Sequence, residues 1–387
     1  MIGNHKLFWA WAQLVFGEGS ATPWYIHRNF PGGLEGFYRG GPLCWNSLDY
    51  ITERQAAALQ SASLDAARAR LEYAARLGWE TLTPECEKYP EGLRNISDPP
   101  AVLYSKGRTL DAEDGPLVAV AGARKARPES LAAAKSIGYQ LASAGAVVVT
   151  GEALGIDSAA LEGALGALGR AVCVLPVDLG SPYMTKTSHL RRRLLEMGGM
   201  LVSEYFSQRS PAQGGFHLRN RLITGLCRKV VLVQAAEKSG TMIYARHAAS
   251  QGRELFVYPG PEGAPEFAGS RRLIAEGAPA VESGQEVLGR REKASPPPPV
   301  LLEKPVLRKL PHSEPERQEA PAPMLADSGG APPEQQLLAL LEAGALTADE
   351  LEEQSGIPLR ELLRVLTRLE LEGLVETASG RRYRRRQ

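Results

Sequence analysis

From residue 1 to about residue 85 apolar positions recur at helical spacing, most clearly in the alanine-rich stretch 53–77. This part is predicted to be a helical domain. All five tryptophans (Trp9, Trp11, Trp24, Trp45, Trp79) fall within it. Each indole has a large area to bury, so the cluster is expected in the core rather than as a ligand cage. From Leu117 the period changes. Short β-branched runs at 117–122, 146–151, 171–178, 200–205, 230–235 and 255–260 alternate with helix-length segments. Strands that are apolar throughout are covered on both faces, which predicts an α/β domain over 86–290 with a doubly wound, Rossmann-like parallel sheet.

Eleven of the 28 prolines lie in 291–333, where apolar periodicity stops, so this segment reads as a linker. Residues 334–387 form a last module. Helical segments at 335–342, 348–354 and 359–372 precede "GLVETASGRRYRRR", a two-stranded wing turning at Ser379-Gly380. That order predicts a winged helix.

Charge separates these parts. The chain as a whole carries +1, but 116–290 holds 20 Lys+Arg against 14 Asp+Glu, a net +6, while 1–115 holds 11 against 14, a net −3. The α/β domain is the part suited to a polyanion. The four cysteines (Cys44, Cys86, Cys173, Cys227) lie far apart without metal-ligand spacing, and a reduced cytoplasmic compartment is expected. Residues 7–16 are too short to span a bilayer and are interrupted by Gln13, so no membrane partner is expected.

Ligands of a doubly wound sheet bind outside the carboxyl ends of its strands, where helix N-termini point. Cations stand at three of these junctions: Arg124, Lys125 and Arg127; Arg219 and Arg221, with Asn220 between them; and Lys238. A cation at a helix start is misplaced by about 0.3–1 kcal/mol unless an anion faces it. So many cations suggest several phosphates, as a nucleic-acid strand supplies. Small residues accompany them: Gly122 and Ala123, Thr150 and Gly151, and Ser239, Gly240 and Thr241. They let backbone N–H groups approach an oxygen, although turn chemistry alone also favours glycine there. Phe216 is either a stacking surface for a base or a core residue. The sequence has no G-x-G-x-x-G after the first strand and no G-x-x-x-x-G-K-[ST], and its six histidines form no ligand-spaced cluster. No cofactor, metal or catalytic constellation is expected.

The ordered motifs "YPEGLRNISDPPAVLYSKG" (89–107), "VAVAGAR" (118–124), "TGEALGID" (150–157), "SEY" (203–205), "FHLRNRLITGL" (216–226), "KSGT" (238–241), "VYPG" (257–260) and "RRLIAEGA" (271–278) closely resemble the DNA-processing protein A (DprA, also called Smf) family. The match is dense over about 90–280, and the two ends resemble the family's helical, SAM-like N-terminal domain and its winged helix more loosely. The resemblance implies a single-stranded-DNA-binding recombination mediator of natural transformation, which protects incoming strands and helps load the RecA recombinase. It also implies a homodimer formed through the Rossmann-like domain. The anion expected at Arg219, Asn220 and Arg221 is then the DNA backbone. Departures from the family are Ala123 for a serine, Leu161 for a histidine, Gln234 for a glutamate and Tyr244 for a threonine.

Two other readings stay open. "EKSGTMIY" resembles the P-G-G-x-G-T-x-x-E signature of lysine-decarboxylase-like nucleotide phosphoribohydrolases, but Tyr244 stands where the catalytic acid would be. Alternatively the winged helix is the functional end, reading duplex DNA through Arg360, Arg364 and Arg368 on one helix face and Arg381 and Arg382 in the wing. Residues 334–387 nevertheless hold 8 Arg against 10 acids, a net −2, which also suits a solvated face or a protein-docking module. For the homodimer, Leu273 and Ile274, with the charges around them, are candidate interface anchors, or they pack on the sheet.

Overall fold

A computed structural model of the chain describes residues 4–111, 113–181, 185–206, 215–289, 333–342, 344, 346–355, 357, 362, 365–366, 369, 374–378 and 382–385. The chain divides into two compact units, Met1–Lys309 and Leu310–Gln387.

The first unit opens with α1 (Asn4–Phe16), α2 (Thr22–Asn29), α3 (Gly33–Asn46, kinked at Gly41), α4 (Glu53–Ser61) and α5 (Leu64–Arg76). The stretch 53–77 is therefore two helices. Thr52 and Gln55 form a capping box that starts α4, and Ser63 caps α5 by accepting from Ala66 N. Caps of this kind contribute about 1 kcal/mol each, enough to favour a break between two short helices. All five tryptophans are buried, as expected. Trp11, Trp24 and Trp45 donate their indole N–H groups to the carbonyls of Ala62, Pro100 and Phe37.

The chain continues through β1 (Glu80–Leu82), α6 (Glu91–Arg94), β2 (Leu103–Gly107), β3 (Leu117–Gly122), α7 (Pro128–Ser143), β4 (Val147–Thr150), α8 (Ile156–Gly166), β5 (Ala171–Leu175), α9 (Ser188–Glu196), β6 (Met200–Ser203), α10 (Gly215–Leu226), β7 (Lys229–Val233), α11 (Thr241–Ser250), β8 (Glu254–Tyr258), α12 (Ala268–Ala275) and α13 (Gly284–Gly289). One eight-stranded sheet has the order β1-β2-β6-β5-β4-β3-β7-β8. The six expected runs are its six parallel strands, β3 to β8, and β1 and β2 add antiparallel to the β6 edge. Neither of these two antiparallel strands has a readable period, since β1 has three residues and β2 ends on the exposed Lys106 and Gly107. Because β1 precedes residue 86, the boundary expected at 85/86 falls inside the sheet. The apolar core is likewise continuous from Leu7 to Val287.

In the second unit α14 (Pro333–Glu342), β9 (Leu346–Thr347), α15 (Ala348–Ser355), β10 (Val375–Ala378) and β11 (Arg382–Arg385) surround a small core that includes Leu337, Leu341, Leu351 and Val375. The three strands are ordered β10-β11-β9. Of the expected helix 359–372, the described residues Leu362, Val365, Leu366 and Leu369 are helical and buried. The expected linker lies outside the described residues except for Pro333, which opens α14.

Helices α7 and α8 cover the sheet side by side, and glycines set their separation. A Cβ on Gly138 would lie 2.2 Å from Ala160 O, and one on Gly163 would lie 2.0 Å from Lys135 O. Overpacking of this kind costs about 1–3 kcal/mol, or about 2–4 °C per kcal/mol in a domain of this size. Gly138→Val is expected to lower the midpoint of thermal unfolding by several degrees, and an unchanged midpoint in calorimetry would contradict the close packing.

Candidate nucleic-acid interface

The strands that follow β3 in sequence, β4 to β6, lie to one side of it, and β7 and β8 lie to the other. The loops leaving β3 and β7 therefore diverge, and a crevice opens between them at the carboxyl edge of the sheet. A cleft of about 670 Å³ occupies this point. It is lined by Gly122, Ala123, Arg124 and Lys125 at and after the end of β3, by Ser239, Gly240 and Thr241 after β7, and by Phe216, Arg219 and Asn220 of α10. Because α10 begins at Gly215, Arg219 and Arg221 lie more than one turn inside the helix and not at its start as expected. Ten of the fourteen expected site residues thus meet at one cleft. Thr150, Gly151, Arg221 and Lys238 are not in its lining.

Burial separates the cations. Arg124, Lys125 and Lys238 are exposed, whereas Arg219 and Arg221 are 2% and 0% accessible. Arg127 is paired with Glu129 and, at 3.6 Å, with Glu266. Arg124 holds its guanidinium 4.0 Å from the centre of the Phe216 ring. A cation over an aromatic face is attracted to its quadrupole, so guanidinium and ring form one stacked platform at the mouth of the cleft.

The paired arginines of α10 require a correction. Arg221 faces protein carboxylates, with Nη2 2.6 Å from Glu204 Oε2 and Nε 3.2 Å from Asp98 Oδ2. Burial pushes the Glu204 carboxyl up and Arg221 pulls it back. Glu204 Oε1 also accepts from Gly19 N at 2.9 Å, and its carbonyl accepts from Gln13 Nε2 at 3.1 Å. The anion opposite Arg221 is thus internal, and the residue ties α10 to the N-terminal helices.

Arg219 lies on the cleft floor. It donates from Nη1 to Val174 O at 2.8 Å, next to the last residue of β5, and rests against Gly151 so closely that a Cβ there would lie 1.5 Å from Nη1. Gly151 is required by this guanidinium and not by an external phosphate. Asp157 shares the floor. Burial pushes its carboxyl up, while Arg219 and the backbone N–H groups of Ala153, Gly122 and Gly151 favour its charged form. Amides expected to cradle phosphate therefore point at Asp157. Thr150 is fully buried, with its hydroxyl 3.5 Å from the Asp157 carbonyl, and has no route to a ligand.

Gln234, noted in the sequence only as a departure from the family, is a buried cleft residue. Its backbone is left-handed, φ 58°, and its amide accepts from Arg127 N at 2.9 Å and donates to Lys125 O at 3.4 Å, fixing the loop that carries Arg124 and Lys125. Sequence reasoning passed over Asp98, Asp157 and Glu204. The available signal was a lone acid directly after an apolar strand or in a motif otherwise free of charge, as in "SEY" and "GID". Tyr244, buried on the cleft wall, stands where the hydrolase signature has its acid.

Leu273 is 7% accessible and belongs to the core, with Ile274 packed beside it, so Leu273 is no interface anchor in this conformation. In the second unit Arg360, Arg364, Arg368 and Arg381 lie outside the described residues, as does the side chain of Arg382. The wing arginines that are described, Arg384 and Arg385, pair with Glu376 and Glu342.

Fold and site together define an α/β protein with a cation-rimmed cleft at the switch point of a doubly wound sheet, joined to a winged helix. Residues 80–292 match the family model described as DNA recombination-mediator protein A, and residues 292–381 match the DprA winged helix domain. The chain belongs to this family. It is 32% identical over 302 residues to Protein Smf of Escherichia coli strain K12, covering 76% of this chain and 75% of that protein. It is also 32% identical over 210 residues to the DNA processing protein DprA of Bacillus subtilis strain 168, covering 54% and 70%. The X-ray structure of DprA from Streptococcus pneumoniae superposes with a TM-score of 0.63 at 25% identity, covering 75% of this chain and 99% of that one.

The buried ion pairs separate stability from binding. Arg221→Ala leaves Glu204 buried without its cation, and such a break costs about 3–5 kcal/mol. A lowered unfolding midpoint is expected for it and an unchanged one for Arg124→Ala; the reverse order in thermal melts would overturn the assignment.

Glu152, at φ 58° just beyond β4, pairs with Arg191 at 2.8 Å, yet burial pushes its carboxyl up to about 7 from an ordinary 4.5. Between those values the folded protein holds a proton that the unfolded chain has lost. Its contribution to stability is complete below about pH 4.5 and is lost as pH rises through about 7. Glu152→Gln is expected to make the fall of the unfolding midpoint across this window shallower, and an identical slope would contradict the assignment.

Proposed function

We propose that the cleft binds single-stranded DNA without strong sequence preference, and that the chain acts as a recombination mediator that protects strands and delivers them to a RecA-type recombinase during natural transformation. The observation that carries this is the exposed pair Arg124 and Lys125 beside the Phe216 ring, at the switch point of the sheet. Phosphates lie on the cations, and bases stack on the guanidinium-ring platform, a contact that tolerates every base because each has a π-face. Arg219 contributes positive potential from the floor, and Lys238 lies at the rim. A homodimer in the cytoplasm belongs to the same reading. Its interface is left without Leu273 as an anchor. No catalytic step is proposed, and nucleoside monophosphates are expected to be left intact.

Each phosphate contact to a single strand contributes about −0.7 to the slope of log affinity against log salt. Arg124→Ala and Lys125→Ala are each expected to weaken oligonucleotide binding and to flatten the slope by about that amount. Wild-type affinity and slope in both variants would refute the cleft as the binding site.

For the winged helix the proposal is a secondary hold on duplex DNA, tethered so that it samples a second stretch. The pairing of Arg384 and Arg385 with acids limits how many phosphates the wing can meet. Deleting 334–387 is expected to lower duplex affinity more than single-strand affinity. Full duplex affinity in the truncated chain would make the module a protein-docking element.

A further inference from the structure

A second groove of about 460 Å³ adjoins the cleft. Arg124 and Lys125 line both, so these two cations form the ridge between them. Beyond the ridge the character of the wall changes. Leu131 from α7 and Leu154, just before α8, give it apolar faces, and Leu154 is 49% accessible although no strand or helix needs it outside. The polar groups there are Ser158 and an ion pair between Lys135 and Glu162 at 3.3 Å. With its lysine paired to a carboxylate, the wall beyond the ridge adds no net positive charge to draw a phosphate off Arg124 and Lys125. The groove has the size and mostly apolar lining of a small-ligand subsite.

We propose that this groove holds the base of the nucleotide next to the one in the cleft, with the phosphate between them on Arg124 and Lys125. The inference rests on the single-stranded-DNA reading of the cleft and adds the direction in which the strand leaves it, over the ridge toward the N-terminal end of α8. The occupant follows from continuity and charge: a polyanion seated on a two-cation ridge between two cavities puts its charged backbone on the ridge and its uncharged bases to either side.

The test is binding of the full chain to oligothymidylates of increasing length, for the wild type, Leu154→Glu and Leu154→Ala. Leu154 is outside the cleft and half-exposed, so neither change disturbs the core. The wild type is expected to gain about ten-fold in affinity at the length where a second base is seated, the range of one base stacked on a protein surface. Leu154→Glu is expected to lose that step while binding shorter oligonucleotides as the wild type does, and Leu154→Ala is expected to lose part of it. If the wild type binds but Leu154→Glu matches it at every length, the subsite is refuted and the cleft reading stands. An equal loss at every length also refutes a separate subsite. If the wild type binds none of the oligonucleotides, the cleft reading itself falls.

Discussion

The burial of two arginines two residues apart in the middle of one helix is the constraint on which the rest of the molecule depends. Charged guanidinium groups leave water only when hydrogen-bonding partners and counter-charges replace it, and here those partners come from four different parts of the chain. Arg221 meets Glu204, beyond β6, and Asp98, before β2; Arg219 meets the end of β5 and the Asp157 carboxyl. Glu204 in turn receives Gly19 N and Gln13. Removing any of these partners strands a charge in the interior. The helical N-terminal stretch, the antiparallel edge and the doubly wound sheet are therefore held as one body.

This arrangement also shapes the cleft. With Arg219 and Asp157 sealing the floor, and with the backbone amides at the ends of β3 and β4 directed at Asp157, the interior has little capacity left for a phosphate. The charge available to a ligand is at the rim, on Arg124, Lys125 and Lys238, where side chains remain solvated and a polyanion can exchange its counterions for them. The rim loop is held by a strained residue: Gln234 adopts a left-handed backbone and uses both ends of its amide on Arg127 N and Lys125 O. Such strain persists only where the surroundings over-determine it, and here it fixes the loop that presents the cations.

Much of this was legible in the sequence. The six parallel strands follow from their unbroken apolar character, and the gathering of three strand-end motifs at one cleft follows from the topology rule for doubly wound sheets. The two antiparallel strands, β1 and β2, were not legible, because three to five residues with an exposed end carry no period. The roles of Arg219, Arg221, Gly151 and Thr150 were misread for a single physical reason. A cation in an otherwise apolar segment reports that an anion or acceptor is nearby, but not whether it is a ligand or another part of the chain, and the helix begins four residues before Arg219, not at it. Asp98 and Glu204 are 123 and 17 positions from Arg221, a separation no local pattern encodes.

The central claim is that the α10 arginines hold the protein together while the rim cations hold the ligand. It is tested most directly by the salt dependence of single-stranded-DNA affinity in the double variant Arg221→Met with Glu204→Gln, which removes the fully buried pair in concert, leaves Asp98 with its partial access to water, and retains an acceptor for Gly19. Replacing a buried ion pair by groups of similar volume is often close to neutral in stability, so the variant is expected to fold. The account predicts a log-log salt slope equal to that of the wild type; a slope flattened by about 0.7, the value of one lost phosphate contact, would contradict it.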